Sequence, residues 1–238
     1  MKNNHIKKFI KCGFLNNFII SIISNYDFKN NIFELDYIIL YYIKKIKCKS
    51  LTINYQNYKF ASCLSTENII CHGIPVIENI LFNYIKIDVS IKYNNLCSDC
   101  CFNSNKFYKK KNFYFKNFFY NTLNFIKLNS SYSFINNKLI KNKFFFINED
   151  YCSHGIFKNL HNNLIIYHCN KNNYVKIKNF DSFTIEPMFI LKNKDGYNYK
   201  NIFFSKKDNL SFQWEHTMYF LKNSILITTL RKNELWFI

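Results

Sequence analysis

Residues 85–91 read Ile85-Lys86-Ile87-Asp88-Val89-Ser90-Ile91 and alternate apolar with polar side chains. An alternation with a period of two is typical of a β-strand that buries one face. The apolar residues would face the core, and Asp88 would point away from it. A carboxylate on a strand that closes over a core is costly to bury unless it is paired or bound to a metal ion. Asp88 is therefore the first candidate for chemistry in this sequence.

Helices and further strands are predicted on both sides of this strand. Helical spacing of apolar residues predicts helices at 14–24, 32–46 and 113–128. In the second helix Glu34 lies near the start and Lys44 near the end, in agreement with the helix dipole. We expect a loop at Asn136 and Asn137. The remaining patterning predicts strand-rich structure at 69–91 and strands at 165–167, 183–191, 212–220 and 225–230, with a hairpin turn at 222–224.

The chain has no long linker rich in Gly, Ser or Pro, which favours one α/β domain. We place this domain at residues 14–238. Residues 1–13 are expected to be an N-terminal extension, either disordered or a vestigial targeting segment.

The composition indicates a globular protein in a reducing compartment. Hydrophobic residues make up 48% of the 238 residues, and no uninterrupted apolar stretch approaches the length of a membrane span. The nine cysteines are an odd number, which argues against a disulfide framework. The net charge of +18 comes from scattered lysines. It has two readings: drift of codon usage toward Lys, or attraction to a nucleic acid such as ribosomal RNA.

Scarce residues mark three positions along the chain. Only four glycines and two prolines are present, and Gly73 and Pro75 both follow His72. Gly155 follows His154, and Pro187 follows Glu186. Gly allows close approach of other groups and Pro fixes φ, so these positions indicate backbone constraints beside residues that can bind metal or carry protons.

The acidic residues follow the same pattern. Of only 15 carboxylates, Asp88, Asp99, Glu186 and Glu215 lie in or near predicted strands. Two Asp, two Glu and one His form an oxygen-rich ligand set that suits a pair of Mn, Fe, Co or Zn ions. Exposed charges at strand ends remain the alternative for each carboxylate taken singly.

Five ordered blocks resemble the type I methionine aminopeptidases, over about residues 14 to 231. The blocks are Tyr55-Gln56-Asn57-Tyr58 continuing through Cys63 to Cys71-His72-Gly73-Ile74-Pro75; Ile87-Asp88-Val89-Ser90-Ile91 with Asp99; Tyr151-Cys152-Ser153-His154-Gly155-Ile156 with His161; Phe183-Thr184-Ile185-Glu186-Pro187-Met188; and Gln213-Trp214-Glu215-His216-Thr217. Each block alone is moderate evidence, and their order and separations make the resemblance specific.

The resemblance implies the pita-bread fold, an α/β (α+β) domain with a curved antiparallel sheet in two pseudo-symmetric halves covered by helices. It implies an enzyme that removes the initiator methionine of nascent polypeptides by a hydroxide that bridges two divalent metal ions, Co, Mn, Fe or Zn. The implied metal ligands are Asp88, Asp99, His154, Glu186 and Glu215, with Asp99 and Glu215 bridging.

The resemblance also implies roles for residues around the metal ions. Glu186 would shuttle the proton, His161 would stabilise charge on the tetrahedral oxygen, and His72 would contact the nitrogen side of the scissile peptide. The implied methionine pocket is lined by Tyr55, Tyr58, Cys63 and Leu160. An aromatic residue before the fifth block, Tyr197 or Tyr199, is a further candidate for its wall.

The chain departs from the family pattern at three positions. Cys100 stands where the family usually has Thr, Phe157 begins a stretch that is usually Gly-rich, and Leu160 stands where Phe is usual. These departures concern substrate preference and rate more than metal binding.

Other expectations concern partners and location. We expect a monomer without membrane attachment, in the cytoplasm or alternatively in the plastid or mitochondrial matrix, with transient association with the ribosome.

Three alternative functions follow from the same residues. One is a catalytically impaired homologue that acts as a basic RNA- or ribosome-binding protein. Another is a proline-specific aminopeptidase of the same fold. The third is a zinc site, since Cys97 and Cys100 have the spacing of a ligand pair that Cys152 and His154 would complete. Retention of all five implied ligands favours an active enzyme over the impaired homologue.

Overall fold

The structure is a computed structural model that describes most of the chain. The described residues are 2–26, 31–75, 82–105, 109–124, 126–140, 144–169, 175–192, 195–206, 209–221, 224–232 and 234. The α-helices in them are α1 (Lys2–Ser24), α2 (Ile32–Lys45), α3 (Lys109–Leu123) and α4 (Ser133–Ile140). The strands are β1 (Lys49–Ser50), β2 (Cys63–Thr66), β3 (Ile69–Cys71), β4 (Tyr84–Tyr93), β5 (Leu96–Asn105), β6 (Phe146–Ile147), β7 (Cys152–Gly155), β8 (Asn162–Tyr167), β9 (Ser182–Ile185), β10 (Met188–Ile190), β11 (Gly196–Tyr199), β12 (Ile202–Ser205), β13 (Ser211–Gln213), β14 (His216–Leu221) and β15 (Ser224–Ile227). A short 3₁₀ helix covers Tyr55–Asn57.

The strand predicted from the alternation at 85–91 is confirmed as the centre of β4. All four of its apolar side chains are buried in a core that α1 and α2 also form. On one side β4 pairs with β1 and β2, and on the other side it pairs with β5 in antiparallel register along their whole length. The polar face of this hairpin is thereby left for the site.

The first helix is longer than predicted: it begins at Lys2, whereas the prediction placed its start at residue 14. Phe9 and Cys12 are fully buried, and the Cys12 thiol donates to the carbonyl of Leu96 at 3.2 Å. Residues 2–13, which were expected to belong to an N-terminal extension, therefore form part of the helix that covers the β4–β5 hairpin. Its apolar residues had too few neighbours in sequence to reveal this packing. A targeting role for it stays a prediction.

The second helix agrees with its prediction. Its N-cap Asn31 accepts a hydrogen bond from the Glu34 N–H at 2.9 Å, which satisfies one of the free donors of the first turn. Leu35, Ile39 and Ile43 are buried on one face.

The two halves of the sheet are joined where β5 meets the segment before β14. Cys101 and Glu215 exchange backbone hydrogen bonds, with N···O distances of 3.3 and 3.1 Å. On the far side, β14 belongs to an antiparallel sheet in the order β15-β14-β9-β7-β8. Antiparallel pairing thus continues from one half to the other, as the curved sheet of the implied fold requires.

Two predicted strands are each divided in two, and each break lies at a candidate ligand. The strand predicted at 183–191 is interrupted by Glu186 and Pro187, and the one predicted at 212–220 is interrupted by Trp214 and Glu215. Pro lacks the N–H that a strand ladder needs, which explains the first break. Both glutamates are therefore placed at strand junctions.

Other boundaries also differ from the predictions. α3 ends at Leu123. Asn136 and Asn137 lie inside α4, because Ile135 and Leu139 of this helix are buried in a core cluster with Phe115 and Phe183. The hairpin before the C-terminus is confirmed by the pairing of Leu221 with Ser224, while residues 222 and 223 lie outside the described residues. Among the described helices, none combines the length and apolar character needed to cross a membrane.

Candidate metal centre

Asp88 and Asp99 lie on the same face of the β4–β5 hairpin. Asp88 is opposite Cys101, and Asp99 is opposite Ser90, two residues along β4. Directly opposed residues of an antiparallel pair point to the same face, as do residues two apart. Both carboxylates therefore point away from the core under α1 and α2 and into a cavity.

Three hydrogen bonds hold Asp99 in place. The Ser90 hydroxyl donates to Asp99 Oδ1 at 2.8 Å. The Asp99 N–H donates to Thr217 Oγ1 at 2.8 Å, and the same hydroxyl donates to the Asp99 carbonyl oxygen at 2.7 Å. Thr217 lies in β14, so it fixes Asp99 relative to the other half of the sheet.

His154 and Glu186 approach each other from β7 and from the junction after β9. His154 Nε2 lies 3.4 Å from Glu186 Oε1, and Thr184 Oγ1 donates to the same carboxylate oxygen at 2.9 Å. His154 Nδ1 is 3.2 Å from the Gly155 carbonyl oxygen, which can only accept. The tautomer with the proton on Nδ1 donates to this oxygen, and in that tautomer the Nε2 lone pair is available to bind a cation.

Three of the candidate ligands form a compact group. Ligand atoms of Asp99, His154 and Glu215 all lie within 4.8 Å of one another, and all three residues are buried. Asp88 Oδ1 and Glu215 Oε1 are buried and lack a hydrogen-bond partner among the described residues. A buried acceptor without a partner is costly, and a bound cation would satisfy both oxygens.

The electrostatics of the carboxylates also fit a cation. Burial, and next the charge of Asp99, raise the pKa of Asp88, Glu186 and Glu215 well above the ordinary range. Burial raises the pKa of Asp99 to about 6, although the hydrogen bond from Ser90 lowers it. Four carboxylates that resist ionisation together would be stabilised by divalent positive charge. The residues present therefore fit a metal centre.

The structure brings all the predicted site residues to one cavity of about 700 Å³. Those on its lining are Asp88, Asp99, His154, Glu186, Glu215, His72, His161, Tyr55, Tyr58, Cys63 and Leu160. Neither of the two tyrosines considered for a further wall, Tyr197 and Tyr199, is on that lining, which includes Lys200, Asn201 and Ile202 instead. Both tyrosines are exposed in β11, so that suggestion was wrong.

The two histidines without a predicted ligand role take different positions. His161 lies against His154 with 4.2 Å between ring centroids, and its Nδ1 is 2.9 Å from the Tyr55 hydroxyl. His72 has a positive φ of 57° just before Gly73, and its ring packs edge-to-face against Tyr151. Backbone strain of this kind in a non-glycine residue is frequent at functional sites.

Three supporting residues were missed by the sequence analysis. Ser90, Thr184 and Thr217 bond to Asp99 or Glu186 and stand two residues from Asp88, Glu186 and Glu215. Since strand residues two apart share a face, alternation around each candidate ligand would have identified them.

Only one of the three departures from the family pattern reaches the cavity lining. Leu160 lines it, whereas Cys100 is fully buried next in sequence to Asp99 and so on the opposite face of β5. Phe157 packs against Phe9 of α1, with ring centroids 5.3 Å apart.

The alternative zinc site is not supported. Cys97 and Cys100 are three residues apart in β5, so their side chains lie on opposite faces. Among the described residues, the compact group of possible metal ligands consists of Asp99, His154 and Glu215 and contains no cysteine.

Comparisons with known proteins identify relatives and solved structures that match nearly the whole chain. The chain is 30% identical to the methionine aminopeptidase of Buchnera aphidicola subsp. Schizaphis graminum, over 97% of this chain and 94% of that protein. The fold is similar to the methionine aminopeptidase of Rickettsia prowazekii, with a TM-score of 0.86 and 22% identity over 96% of this chain and 98% of the other. It is equally similar to that of Thermotoga maritima, with a TM-score of 0.86 and 18% identity over 95% and 96% of the two chains. No protein-family model matches the chain.

Proposed function

The chain belongs to the methionine aminopeptidase family, whose members are metal-dependent exopeptidases, and from this membership we propose how its own residues act. The function is removal of the N-terminal initiator methionine from polypeptides. The proposal concerns which side chains bind the metal, hold the substrate and move the proton.

The metal ligands in this proposal are Asp88, Asp99, His154, Glu186 and Glu215. Asp99 and Glu215 belong to the compact group, and Glu215 has a buried oxygen without a hydrogen-bond partner among the described residues, so both would hold divalent cations. The donor set of oxygens and one imidazole nitrogen suits Co, Mn, Fe or Zn. Bound divalent ions supply Lewis-acid chemistry, which polarises a carbonyl group and makes water acidic near neutral pH.

The methionine side chain would enter between Tyr55, Tyr58, Cys63 and Leu160. Cys63 is opposite Asp88 in the β2–β4 pairing, so the pocket wall and a metal ligand stand on neighbouring strands. A flexible thioether packs well against aromatic rings and aliphatic carbon. The N-terminal residue would thereby be held with its peptide bond beside the carboxylates.

Proton transfer is assigned to Glu186 and charge stabilisation to His161. The Thr184 hydroxyl holds one Glu186 oxygen, which orients the carboxylate while it takes and returns a proton. His161 would donate to the oxygen that gains negative charge. His72, on the cavity lining, would contact the nitrogen side of the scissile peptide.

The observation that carries this proposal is that four carboxylates and His154 line one cavity, with Asp99, His154 and Glu215 buried and two carboxylate oxygens lacking hydrogen-bond partners among the described residues. The test is metal titration of the purified protein with release of methionine from Met-Ala-Ser as the readout. Activity should rise with Co or Mn, and Asp99→Ala should abolish both activity and metal binding. Wild-type protein that binds no more than trace divalent metal would contradict the proposal.

Transient association with the ribosome is the second part of the proposal. Lys7, Lys8 and Lys11 are exposed on α1, a helix without acidic residues, and the chain carries a net charge of +18. A basic surface attracts RNA phosphates, and such binding weakens with salt. Co-sedimentation with ribosomes should fall steeply between 50 and 200 mM salt, roughly the range over which phosphate contacts lose their strength. Sedimentation that is unchanged over this range, or undetectable at low salt, would contradict it.

The monomer and the cytoplasmic location, or alternatively the plastid or mitochondrial matrix, remain predictions. The impaired homologue is not favoured, because all five proposed ligands line one cavity.

A further inference from the structure

The loop that carries Tyr55 has an unusual backbone. Asn54, Gln56 and Asn57 have φ values of 68°, 46° and 66°, in the left-handed region that residues with side chains seldom adopt. Thr52 O accepts from the Tyr55 N–H at 3.0 Å, and Tyr55 O accepts from the Tyr58 N–H at 2.9 Å. These bonds hold the loop in its strained shape. Strain of this kind clusters at functional sites, so the contacts of Tyr55 are candidates for a functional role.

Tyr55 touches the imidazole of His161, 106 residues later in the chain. Its hydroxyl lies 2.9 Å from His161 Nδ1, and the ring centroids are 5.3 Å apart. Since Nδ1 is occupied by the phenol, only Nε2 of His161 remains to contact a substrate in the cavity.

We propose that Tyr55 is a positioning residue for His161, in that its hydroxyl donates to Nδ1 and so keeps the proton on Nε2. A neutral imidazole carries one N–H, and the hydrogen bond at one nitrogen sets which nitrogen has it. The inference rests on the proposed function, because His161 can stabilise a negative oxygen only if Nε2 carries a hydrogen. Tyr55 thereby has a second task besides forming a wall of the methionine pocket.

The neighbouring histidine shows why this assignment matters. His154 keeps its proton on Nδ1 through the Gly155 carbonyl oxygen and offers a bare Nε2 to a cation. Tyr55 gives His161 the opposite tautomer, with a bare Nδ1 and a protonated Nε2. The ring centroids of the two imidazoles are 4.2 Å apart. His154 thus presents a lone pair to the cavity, and His161 presents an N–H donor.

Tyr55→Phe tests the proposal by kinetics, because the ring stays as a pocket wall while the hydroxyl is lost. For Met-Ala-Ser we expect kcat to fall by at least about tenfold with KM within about twofold, as when the group that fixes a catalytic imidazole is altered. In a His161→Ala background the same change should have no further effect on kcat. Tyr37→Phe, an exposed tyrosine of α2 outside the cavity lining, is the matched control. Unchanged kcat in Tyr55→Phe, or equal losses in both backgrounds, overturns the proposal.

A spectroscopic test separates this inference from the enzymatic function. Side-chain ¹⁵N spectra of the zinc-loaded protein at pH 8, assigned with His161→Asn, report the tautomer directly. We expect Nε2–H for His161 in the wild type and a mixture of tautomers in Tyr55→Phe. A wild-type spectrum with the proton on Nδ1, or identical spectra for both proteins, overturns the proposal. If no methionine is released under any metal, the proposed function fails, while the spectra still decide the role of Tyr55.

Discussion

Asp99 and Thr217 are joined by two hydrogen bonds that cross between the halves of the sheet. The Asp99 N–H donates to the Thr217 hydroxyl oxygen at 2.8 Å, and that hydroxyl donates back to the Asp99 carbonyl oxygen at 2.7 Å. One side chain of β14 thereby satisfies both backbone polar groups of a residue in β5. The position of the Asp99 carboxylate is consequently coupled to the packing of both halves.

Replacement of this threonine should weaken both stability and metal binding. Thr217→Val keeps the shape of the side chain but leaves two buried backbone groups of Asp99 without partners, which costs about 1–3 kcal/mol. Because Asp99 would also lose its fixed orientation, metal affinity should fall by about 10- to 100-fold. Urea unfolding and isothermal titration with Mn measure the two effects. Thr122→Val is the control, since its hydroxyl donates only within α3, to the Phe118 carbonyl oxygen; an equal loss of metal affinity there would contradict the prediction.

Because the carboxylates repel one another, we expect Asp88→Asn to raise the stability of the metal-free protein and to lower the stability gained from metal binding. Asp88→Asn removes one of four mutually repelling acids that line one cavity, so the metal-free variant should be more stable than the metal-free wild type at pH 8. With Mn at a hundred times its Kd, the wild type should gain about 2.7 kcal/mol, and the variant should gain much less. Thermal unfolding with and without a chelator measures this. A metal-free variant that is less stable than the wild type would show that repulsion does not dominate the site.

The same acids predict how the metal effect depends on pH. Their pKa values are raised in the folded protein without metal, that of Asp99 to about 6, so the folded state binds more protons than the unfolded state above pH 4. The protonated acids therefore contribute stability to the metal-free protein at low pH, and this contribution is lost as pH rises. A cation that displaces the protons restores it. The difference in unfolding temperature between metal-loaded and metal-free protein should grow from pH 5 to pH 8. A constant difference would contradict this.

The buried side chain of His168 should make the protein less stable in mild acid, whether or not metal is bound. Burial lowers its pKa to about 3, and its Nε2 is 2.7 Å from the Ser153 hydroxyl, which also accepts from the Glu186 N–H at 2.9 Å. The unfolded state takes up the proton below pH 6.5, whereas the folded state resists it down to about 3. Stability from this group is thus present above pH 6.5 and lost below it, by about 2 kcal/mol at pH 5.

His168→Gln should flatten that dependence, because the side chain no longer titrates. Urea unfolding of the chelator-treated wild type and variant at pH 7 and pH 5 is the measurement. His5→Gln serves as the control, since His5 is exposed on α1. Equal slopes for wild type and His168→Gln would show that another group governs the acid response.

Because Leu160 lines the cavity and Cys100 does not, substitution of Leu160 should change KM and substitution of Cys100 should not. Leu160 lines the cavity, and Leu160→Phe should lower KM for Met-Ala-Ser by about threefold, because an aromatic ring adds contact with the thioether. Cys100 is fully buried on the other face of β5, so Cys100→Thr should lower stability through its buried hydroxyl and leave KM unchanged. Steady-state kinetics and thermal unfolding of both variants decide this; a KM change in Cys100→Thr alone would reverse the assignment.

Several features could be predicted from the sequence because they depend on close neighbours. The strand at residues 85–91 and the helix α2 follow from apolar periods that extend over a few residues. The scarce Gly and Pro residues indicated where the backbone is constrained, and the ordered blocks named the family. All five candidate ligands were identified in this way, each from its own local segment.

Features that depend on distant packing could not be predicted in the same way. The start of α1 at Lys2 is explained by the burial of Phe9 against Phe157 and Tyr219 and by the bond of Cys12 to Leu96, which lies 84 residues further along the chain. The strand breaks at Glu186 and Glu215 follow from the path of the chain around the cavity.

The sequence by itself determined which residues are candidate ligands, the core face of β4 and the family to which the chain belongs. The tertiary structure alone decided how these residues meet: the register that puts Asp88 and Asp99 on one face of the hairpin, the hydrogen bonds of Thr217 to Asp99, and the contact of Tyr55 with His161 across 106 residues. The physical reason is one of range. Periodicity depends on residues that are close together along one helix or strand. A distance between side chains of different strands depends on the strand register and on long-range packing.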